Sequence, residues 1–330
     1  MAATTSSIRR SNAARVRTRR VSVAAAKLIA VLTLVSVVTF LLLEMIPGDP
    51  LAVMLPEGAS PEMLAAAAER FGLDGPLVQR YLEWVGNALQ GDLGRSMQTQ
   101  VPVTDAIVER LPVTLELAGL SILVALLIAL PLGVYSGYRP GGIADRIVTL
   151  VCSVTLSIPS FLLGVLLVFV FAVTLHALPV TGWTPLSAGL VPHLRSLVLP
   201  VATLAAIEAV AFIRLLRNDM AATLQQDFVL SARARGISTP RILVVHALRP
   251  SAFSLVTVLG VSLGRLIGGT VIVETLFSLP GLGSLVVTAI NGRDYLLVQG
   301  IVLVVAVAYV LLNSLVDLAY PLLDPRVRSA

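Results

Sequence analysis

The 330-residue chain contains 56% hydrophobic but only 13% charged residues. This balance is too apolar for a soluble domain and is typical of a protein whose solvent is lipid. The net charge of +5 does not favour nucleic-acid binding, because the basic residues flank apolar segments, where they act as orientation signals. Cys152 is the only cysteine, which excludes an intramolecular disulfide and a cysteine-based metal cluster. The sequence therefore predicts an all-α integral membrane protein.

The N-terminal region combines a basic arm, residues 1–20, with a predicted first membrane span, residues 21–46. Six arginines and Lys27, without any acidic residue, precede the uninterrupted apolar stretch Leu28 to Leu43. A cleaved signal peptide shows a similar pattern. However, the apolar run is long enough for a spanning helix, which needs about 20 residues. In addition, no A-x-A cleavage site follows it. We expect a retained span with the N-terminus in the cytoplasm, because positive charge stays on that side.

Residues 47–112 form the one sizeable polar region, with nine acidic and four basic residues, which suits the extracytoplasmic side. Two short helices are expected here. The first begins at Ser60 and stops at Gly72, and the second begins after Pro76 and stops at Gly91. The segment is interpreted either as a small helical cap on the membrane face or as a docking surface for an external partner.

The remaining chain, residues 113–320, is predicted to form a transmembrane domain with five further spans. Pro131 and Pro159 lie within two of these spans and are expected to bend them. Six crossings in total put both termini in the cytoplasm, and residues 321–330 form a short cytoplasmic tail. The five predicted spans are 117–134, 147–175, 196–213, 251–273 and 295–316.

A charged connector, residues 217–250, links the fourth and fifth spans. Asp227 is expected to be the N-cap of a helix that runs to Arg235. Gly236 is expected to end that helix in the left-handed conformation, which glycine adopts without steric strain. Thr239, followed by a proline, is expected to cap a second short helix.

The charge around the connector predicts its side of the membrane. Six arginines and only two aspartates lie between residues 214 and 250, so the connector belongs in the cytoplasm.

Signatures of catalysis are missing from the sequence. A P-loop needs a lysine after glycine to reach the phosphates, and the only lysine, Lys27, follows Ala26. The three histidines have neither metal-binding spacing nor carboxylate or cysteine neighbours in sequence. We therefore expect neither a catalytic nor a metal site, and no cofactor bound by this chain.

Several acidic and basic residues lie within or near the predicted spans. Glu208 and Arg265 each carry a cost on the order of 2.5 to 3.5 kcal/mol at a helix centre, so they should face protein or a water-filled cavity. A structural ion pair and a role along a solute pathway both fit this expectation. Glu116, Glu274 and Asp317 lie closer to the span ends, where their side chains are expected to reach water, and we expect their roles to be mainly structural.

Small residues recur on the fifth span. Gly260, Gly264 and Gly268 are spaced every four residues, a pattern that allows two helices to approach closely. Arg265 lies about 100° round the helix from Gly264 and could therefore face a central cavity.

The motifs of this chain resemble those of a known family. The connector is similar to the EAA loop of permease subunits of binding-protein-dependent ABC importers, and its A-R-A-R-G run at 232–236 is similar to the dipeptide, oligopeptide and nickel subgroup. Leu230-Ser231-Ala232 replaces the Glu-Ala-Ala of the wider superfamily, a departure that the subgroup itself tends to show. Further matching motifs, in order, are Ile46-Pro-Gly-Asp-Pro, Gly72-Leu-Asp-Gly-Pro, Gln79-Arg-Tyr, Gly91-Asp-Leu-Gly-Arg-Ser, Ile158-Pro-Ser-Phe, Val273-Glu-Thr-Leu-Phe-Ser-Leu-Pro-Gly-Leu-Gly and Arg293-Asp-Tyr.

The resemblance implies a type I ABC importer permease fold with six transmembrane helices in the bacterial inner membrane. Such a subunit forms half of the solute pathway together with a second, related permease. Two cytoplasmic ATP-binding subunits bind ATP and magnesium, and an extracytoplasmic binding protein delivers a di- or oligopeptide, or a related small solute such as nickel.

The resemblance also implies roles for particular residues. The connector would be the coupling helix that contacts an ATP-binding subunit, with a cross-link expected from position 232 or 235. Arg233 and Arg235 could instead serve only as positive-inside charge. The coupling residues are Asp227, Phe228, Ala232, Arg233, Arg235 and Gly236, and the extracytoplasmic gate or docking residues are Pro280, Gly281, Gly283, Arg293 and Asp294.

Two other classes of protein remain as alternatives. A secondary transporter driven by an ion gradient would be expected to show inverted repeats and broken helices in matching halves, and no duplication is visible in this sequence. A membrane scaffold or enzyme would lack a conduit or show a catalytic cluster.

Overall fold

A computed structural model describes residue 26, residues 28–45 and residues 59–323, the last eight of these by their backbone only. The predicted basic arm, the motif at 46–50 and residues 324–330 of the predicted tail lie outside the described residues.

The described residues are organised in helices, which confirms the all-α class. The one strand-like contact described is an isolated bridge between Arg95 and Pro102. Two helices contain π-helical turns, at Val168–Thr174 and Ile242–Ala247. In chain order the helices are α1 (Leu28–Glu44), α2 (Pro61–Arg70), α3 (Leu77–Leu89), α4 (Val103–Tyr138), α5 (Ile143–Ser157), α6 (Ser160–Thr174), α7 (Leu190–Thr223), α8 (Asp227–Ala234), α9 (Thr239–Gly269), α10 (Val271–Leu276), α11 (Leu282–Asn291) and α12 (Tyr295–Leu323).

Four of these helices are long and apolar enough to cross a membrane: α4, α7, α9 and α12. The bent pair α5 and α6 provides a fifth candidate if it is counted as one span. Helix α1 is apolar but shorter within the described residues. The predicted count of six spans therefore stays a prediction.

The described residues divide into two compact units. One contains residues 28–45, 59–104 and 292–314, and the other contains residues 105–291 and 315–323. Helix α4 begins well before residue 113, where the permease domain was predicted to start. The predicted domain boundaries themselves stay a prediction.

In the first unit, the two short helices of the polar segment form as predicted. Ser60 caps α2, because its Oγ accepts a hydrogen bond from the Met63 amide at 3.3 Å. The chain leaves α2 through Gly72 and leaves α3 at Gly91, both in the left-handed conformation with φ of 62° and 87°. These helix ends follow directly from local sequence.

In the second unit, α7 is the central helix. Of its most apolar stretch, 72% is buried, against 22% for α9. Leu197, Leu204, Phe212 and other apolar side chains of α7 pack among α4, α6 and α9. Because this helix is enclosed by its neighbours, its polar side chains must find partners inside the protein.

The third predicted span, 147–175, is not one continuous helix. Helices α5 and α6 meet at an angle of 106° around Pro159. Ile158 is extended, with φ −98° and ψ 123°, because the ring of the following proline disfavours the helical conformation at that residue. The prediction of a bend at Pro159 is confirmed, and the predicted span 147–175 is a pair of helices broken at this proline.

Helix α4 is continuous through Pro131, since neighbouring groups can satisfy the carbonyl that proline leaves free in a membrane helix. The bend predicted at Pro131 stays a prediction. The predicted second short helix of the connector and the fifth span form one helix, α9, which passes through Pro250.

Candidate functional site

The connector begins with α8, which starts one residue earlier than predicted. Gln226, not Asp227, is the N-cap: its backbone is extended and its carbonyl accepts from the Val229 amide at 2.9 Å. The extended conformation falls at Gln226 because a turn closes there, with the Gln226 amide donating to the Thr223 carbonyl. Asp227 lies in the first helical turn, where a carboxylate interacts favourably with the helix dipole.

Gly236 ends α8 as predicted, with φ of +74°. Its amide donates to the Arg233 carbonyl at 2.9 Å, and the Ile237 amide donates to the Ala232 carbonyl at 3.2 Å. This pair of bonds is the Schellman arrangement. A Cβ atom at position 236 would meet nothing within 4 Å. The backbone conformation, and not lack of space, therefore requires glycine here.

The second helix of the connector also begins one residue earlier than predicted. Ser238 carries the extended backbone of an N-cap, and Thr239 is already the first residue of α9. No side-chain hydrogen bond caps this end. The predicted capping hydroxyl of Thr239 is therefore wrong, although the proline at 240 lies in the first turn as expected.

Helix α8 has two different faces. Val229 and Ala232 are buried in a cluster that contains the end of α7 and the start of α9. Phe228 is 42% exposed, and Arg233 and Arg235 are exposed. One face thus holds the helix on its own chain, and the other leaves an aromatic ring and two guanidinium groups accessible.

A partly buried ion pair fixes the end of α7 where the connector begins. Arg217 donates to both carboxylate oxygens of Asp145, at 2.5 and 2.7 Å, and the Gly141 amide donates to the same carboxylate at 2.7 Å. Sequence reasoning did not identify this pair. The available signal was Asp145, the acidic residue after the loop that contains Arg139. A carboxylate and an arginine are suited to bidentate pairing.

Glu208 and Arg265 form the ion pair that was one of the two interpretations. The Nη2 atom of Arg265 donates to both carboxylate oxygens of Glu208, at 2.7 and 2.9 Å. The Glu208 side chain is 3% exposed, whereas that of Arg265 is 60% exposed. The pair thus reaches from the helix interface to an accessible surface, and its role along a pathway stays a prediction.

The three glycines of α9 are not equivalent. Gly260 and Gly264 are buried, and Gly268 is exposed. Their helix packs mainly against α7. The first two glycines lie at positions suited to close helix packing, whereas Gly268 has no such environment within the described chain.

Glu274 is fully buried, so the prediction that it reaches water is wrong. Its carboxylate accepts hydrogen bonds from the Thr114 hydroxyl at 2.8 Å, the Thr270 hydroxyl at 2.7 Å and the Ser284 amide at 3.1 Å. These donors replace water, because the chain after α10 turns back over the carboxylate.

The predicted gate residues Pro280, Gly281 and Gly283 form this turn. A Cβ atom on Gly281 would lie 2.3 Å from Oε2 of Glu274, and one on Gly283 would lie 2.5 Å from the Val271 Cα. Glycine is required at both positions by close approach. The Glu274 carboxylate and these glycines therefore pack closely together. The Pro-Gly-Leu-Gly spacing indicated only part of this arrangement.

Asp294, predicted as a gate or docking residue, is buried in the first unit. Its carboxylate caps α12 by accepting from the Leu297 amide at 3.2 Å. It also accepts from the Ser96 hydroxyl at 2.5 Å and the Met97 amide at 3.1 Å. Arg293 beside it is half-buried, with a left-handed φ of 52°. Asp294 therefore ties the Gly91-Asp-Leu-Gly-Arg-Ser motif to the last helix.

His193 has a carboxylate partner that sequence reasoning missed. One ring nitrogen lies 2.7 Å from Oε1 of Glu116, and the other lies 2.7 Å from the Thr184 carbonyl. Glu116 remains partly exposed, which agrees with its predicted position near a span end. The two residues are far apart in sequence, so only the fold reveals the contact.

Similarity to known proteins identifies the family of this chain. Residues 129–329 match the family described as binding-protein-dependent transport system inner membrane component, and residues 15–118 match the N-terminal family of the same systems. A probable peptide ABC transporter permease of Sinorhizobium fredii is 38% identical over 301 residues, which cover 91% of this chain and 96% of that protein. The di/tripeptide transport system permease DppB of Pseudomonas aeruginosa is 38% identical over 315 residues, covering 89% and 94%. The dipeptide transport system permease DppB of Escherichia coli is 34% identical over 318 residues, with the same coverage.

These matches cover nearly the whole chain. The fold is the type I ABC permease fold, as predicted. The chain belongs to the family of binding-protein-dependent transport system inner membrane components, the permease subunits of ABC transporters.

Proposed function

We propose that this chain is one permease subunit of an ATP-driven importer that takes up di- or oligopeptides from an extracytoplasmic binding protein. The peptide specificity of the proposal is supported by the names of its relatives, among them the di/tripeptide and dipeptide permeases. The observation that carries the energy-coupling part is the two-faced helix α8. Its buried face joins it to the membrane helices, and its exposed face is free to contact a partner.

The family and the absence of a P-loop from this sequence both support the proposed partners. A second related permease would complete the pathway, and two ATP-binding subunits would bind ATP and magnesium. We expect no nucleotide on this chain, because its only lysine, Lys27, is not in a P-loop. The excess of arginine around the connector supports a cytoplasmic connector, with both termini on the same side.

The structure suggests how movement would pass from an ATP-binding subunit to the membrane helices. Closure of the ATP-binding subunits would displace α8 through contacts with Phe228, Arg233 and Arg235. The buried face of α8 would carry this displacement to the ends of α7 and α9, because tightly packed side chains transmit displacement. Ser251 of α9 donates to the Thr223 hydroxyl of α7 at 3.0 Å, which links the two helices at this end.

Site-directed cross-linking tests this contact in the assembled transporter. Cys152 is first replaced by serine, which leaves no native cysteine in this chain. Arg235→Cys is expected to cross-link to a cysteine on an ATP-binding subunit, because position 235 is exposed. Ala232→Cys is the matched control on the same helix and is expected to react poorly, because Ala232 is 4% exposed. The burial of Ala232 restricts the predicted contact to the exposed face. An active complex without any cross-link from position 235 would disprove the coupling proposal.

Uptake measurements separate this function from the ion-driven alternative. The complex is reconstituted in liposomes, and uptake of a labelled dipeptide is measured with and without ATP and binding protein. We expect uptake only when both are present. Uptake by this chain on an ion gradient alone would instead favour a secondary transporter, a class that the relatives do not support.

A further inference from the structure

His193, at the start of α7, is 2% exposed and makes hydrogen bonds through both ring nitrogens. Its Nε2 atom lies 2.7 Å from Oε1 of Glu116 on α4. Its Nδ1 atom lies 2.7 Å from the carbonyl oxygen of Thr184, in the segment between α6 and α7. The ring therefore joins two parts of the second compact unit that are far apart in sequence.

Both partners of the His193 ring are hydrogen-bond acceptors. A carbonyl oxygen can only accept, and so can an ionised carboxylate. The Glu116 side chain is 36% exposed, so water can solvate its charge. A neutral imidazole has a single N–H and can donate to one of these two oxygens, whereas the imidazolium ion donates to both. The protonated form of His193 therefore satisfies the observed geometry.

Glu116 is the charged group that faces this ring. No other charged residue of α4 lies between positions 111 and 138, and α6 contains none. The other titratable side chains near this end of the helices have different partners or face solvent. They are Arg195, whose guanidinium donates to a backbone carbonyl, Glu274, which hydroxyl groups satisfy, and the exposed His176.

The segment between α6 and α7 approaches α7 through two neighbouring residues. The bond from His193 to the Thr184 carbonyl is shorter than the other contact of this residue, in which the Thr184 amide lies 3.4 Å from Oγ of Ser196. Trp183 contacts the His193 ring edge-on, with ring centroids 5.0 Å apart. The position of Trp183 and Thr184 thus depends on the hydrogen bonds that His193 can make.

The same end of α4 also holds the turn that follows α10. The Thr114 hydroxyl, two residues before Glu116, accepts from the Leu282 amide at 2.8 Å. The Gly182 amide donates to the Phe277 carbonyl at 2.9 Å. The segment between α6 and α7, helix α4 and this turn are therefore joined by hydrogen bonds.

We propose that His193 is a proton-dependent clamp that holds the segment between α6 and α7 against α4. While the imidazole is protonated, both hydrogen bonds form and the segment is held. As the pH rises and the proton leaves, one N–H remains for two acceptors. The other ring nitrogen then faces an oxygen with lone pairs on both atoms, so one of the two contacts is lost and the segment is released.

The side of the membrane determines which pH the clamp senses. The charge distribution predicts that the segment between α6 and α7 is extracytoplasmic, so the clamp responds to the pH outside the cell. The clamp is additional to the proposed function, because it needs neither ATP nor a peptide.

Fluorescence of Trp183 in the full chain, solubilised in detergent, tests the proposal. The chain has two tryptophans, so Trp84→Phe leaves Trp183 as its sole emitter, in contact with the His193 ring. Titration from about pH 5 to about pH 9 is expected to change the emission in a single one-proton transition, because histidine titrates in this range. Constant emission over this range would overturn the proposal.

Three variants in this background locate the proton. His193→Gln cannot be protonated at this position and is expected to abolish the transition. Glu116→Gln keeps the size of the side chain and removes its charge, so the midpoint should fall by at least about one pH unit. His176→Gln, at an exposed histidine of the neighbouring segment, is the matched control and should leave the midpoint unchanged. A transition that persists in His193→Gln, or a midpoint that Glu116→Gln does not move, would contradict the clamp.

Thiol labelling in a chain with Cys152→Ser measures the release itself. Thr184→Cys retains the backbone carbonyl that binds the ring, and position 184 is half-buried, whereas the control Ser187→Cys is exposed. Dividing the labelling rate at 184 by that at 187 removes the pH dependence of thiol reactivity. This ratio is expected to rise at least about threefold from about pH 6 to about pH 8.5, because local opening exposes position 184.

The result separates the clamp from the proposed function. A ratio that stays constant with pH, measured alongside normal ATP-dependent uptake by the assembled complex, would refute the clamp and leave the proposed function intact. Loss of ATP-dependent uptake from the wild-type complex would refute the proposed function, and a rising ratio would still support the clamp.

Discussion

At the scale of single residues, three buried carboxylates are satisfied by three kinds of donor. Glu208 receives a guanidinium group, Glu274 receives two hydroxyls and a backbone amide, and Asp294 receives a hydroxyl and backbone amides. A carboxylate without such donors would be too costly in an apolar interior. The identity of the donors determines what a substitution does.

Removing the Glu274 carboxylate is expected to destabilise the chain strongly. Glu274→Ala leaves the Thr114 and Thr270 hydroxyls and the Ser284 amide without their acceptor, and each unsatisfied buried group costs about 1 to 3 kcal/mol. Thermal unfolding in detergent should show a clearly lower Tm. Glu109→Ala, at an exposed position on α4, is the control and should change the Tm little. Similar Tm values for the two variants would contradict the role of Glu274.

Truncating Arg265 is expected to reduce transport without preventing assembly. Arg265→Ala leaves the Glu208 carboxylate buried without its partner. Breaking a fully buried ion pair costs about 3 to 5 kcal/mol of stability. The loss should be smaller here, because the Arg265 side chain is 60% exposed. Peptide uptake and co-purification of the complex measure the two effects separately.

A double variant separates the structural role of this pair from a role in the pathway. Glu208→Gln combined with Arg265→Met removes both charges, so no buried charge is left unpaired. If uptake requires the charges, the double variant should assemble normally and still transport slowly. Wild-type uptake by the double variant would show that the pair is only structural.

At the scale of elements, the conformation of the connector depends on one backbone position between two helices. Gly236 allows α8 to end in a Schellman arrangement, and α9 then continues from Thr239 through its π-helical turn into the membrane span. Because α9 is continuous, a displacement of the connector would act on the whole span. We therefore expect the geometry at Gly236 to be important for coupling.

Changing Gly236 is expected to uncouple ATP hydrolysis from uptake. Gly236→Ala places a Cβ atom in a left-handed conformation, which costs roughly 1 to 2 kcal/mol. Gly236→Pro should act more strongly, because it also removes the amide that donates to Arg233. The number of peptides imported per ATP hydrolysed should fall in both variants.

Gly269→Ala is the control for this experiment. It adds the same methyl group where nothing lies within 4 Å and where no left-handed conformation is required. A normal ratio of uptake to hydrolysis in Gly236→Pro, or an equal loss in Gly269→Ala, would argue against the coupling role of the glycine.

At the scale of the whole molecule, orientation in the membrane connects the proposed roles. The charge distribution predicts that the connector faces the cytoplasm and that the segment between α6 and α7 faces the opposite side. The family establishes an inner membrane component, and the orientation adds which end of each helix meets which partner.

Cysteine accessibility in intact cells is expected to report this orientation. In a chain carrying Cys152→Ser, a membrane-impermeant maleimide should label Ser187→Cys without disruption of the membrane. Arg235→Cys should be labelled only after permeabilisation. Both positions are exposed, so the difference would arise from sidedness alone. Labelling in the reverse order would overturn the predicted topology and the coupling role together.

Much of the architecture is encoded locally. Apolar runs predict the membrane helices, and capping residues predict the ends of α2, α3 and α8, because these features depend on near neighbours in sequence. The ordered motifs also identify the family. The starts of α8 and α9 were each predicted one residue late, since the extended residue of a cap is decided by the preceding turn.

The sequence by itself therefore determined the all-helical membrane class, the family and the left-handed end at Gly236. Tertiary structure alone decided the contacts between residues far apart in the chain: the burial of Glu274 beneath the Pro280–Gly283 turn, and the Asp145–Arg217 and His193–Glu116 pairs. The physical reason is that hydropathy and capping act within a few residues, whereas a buried charge takes its partner from whichever helix the fold places beside it.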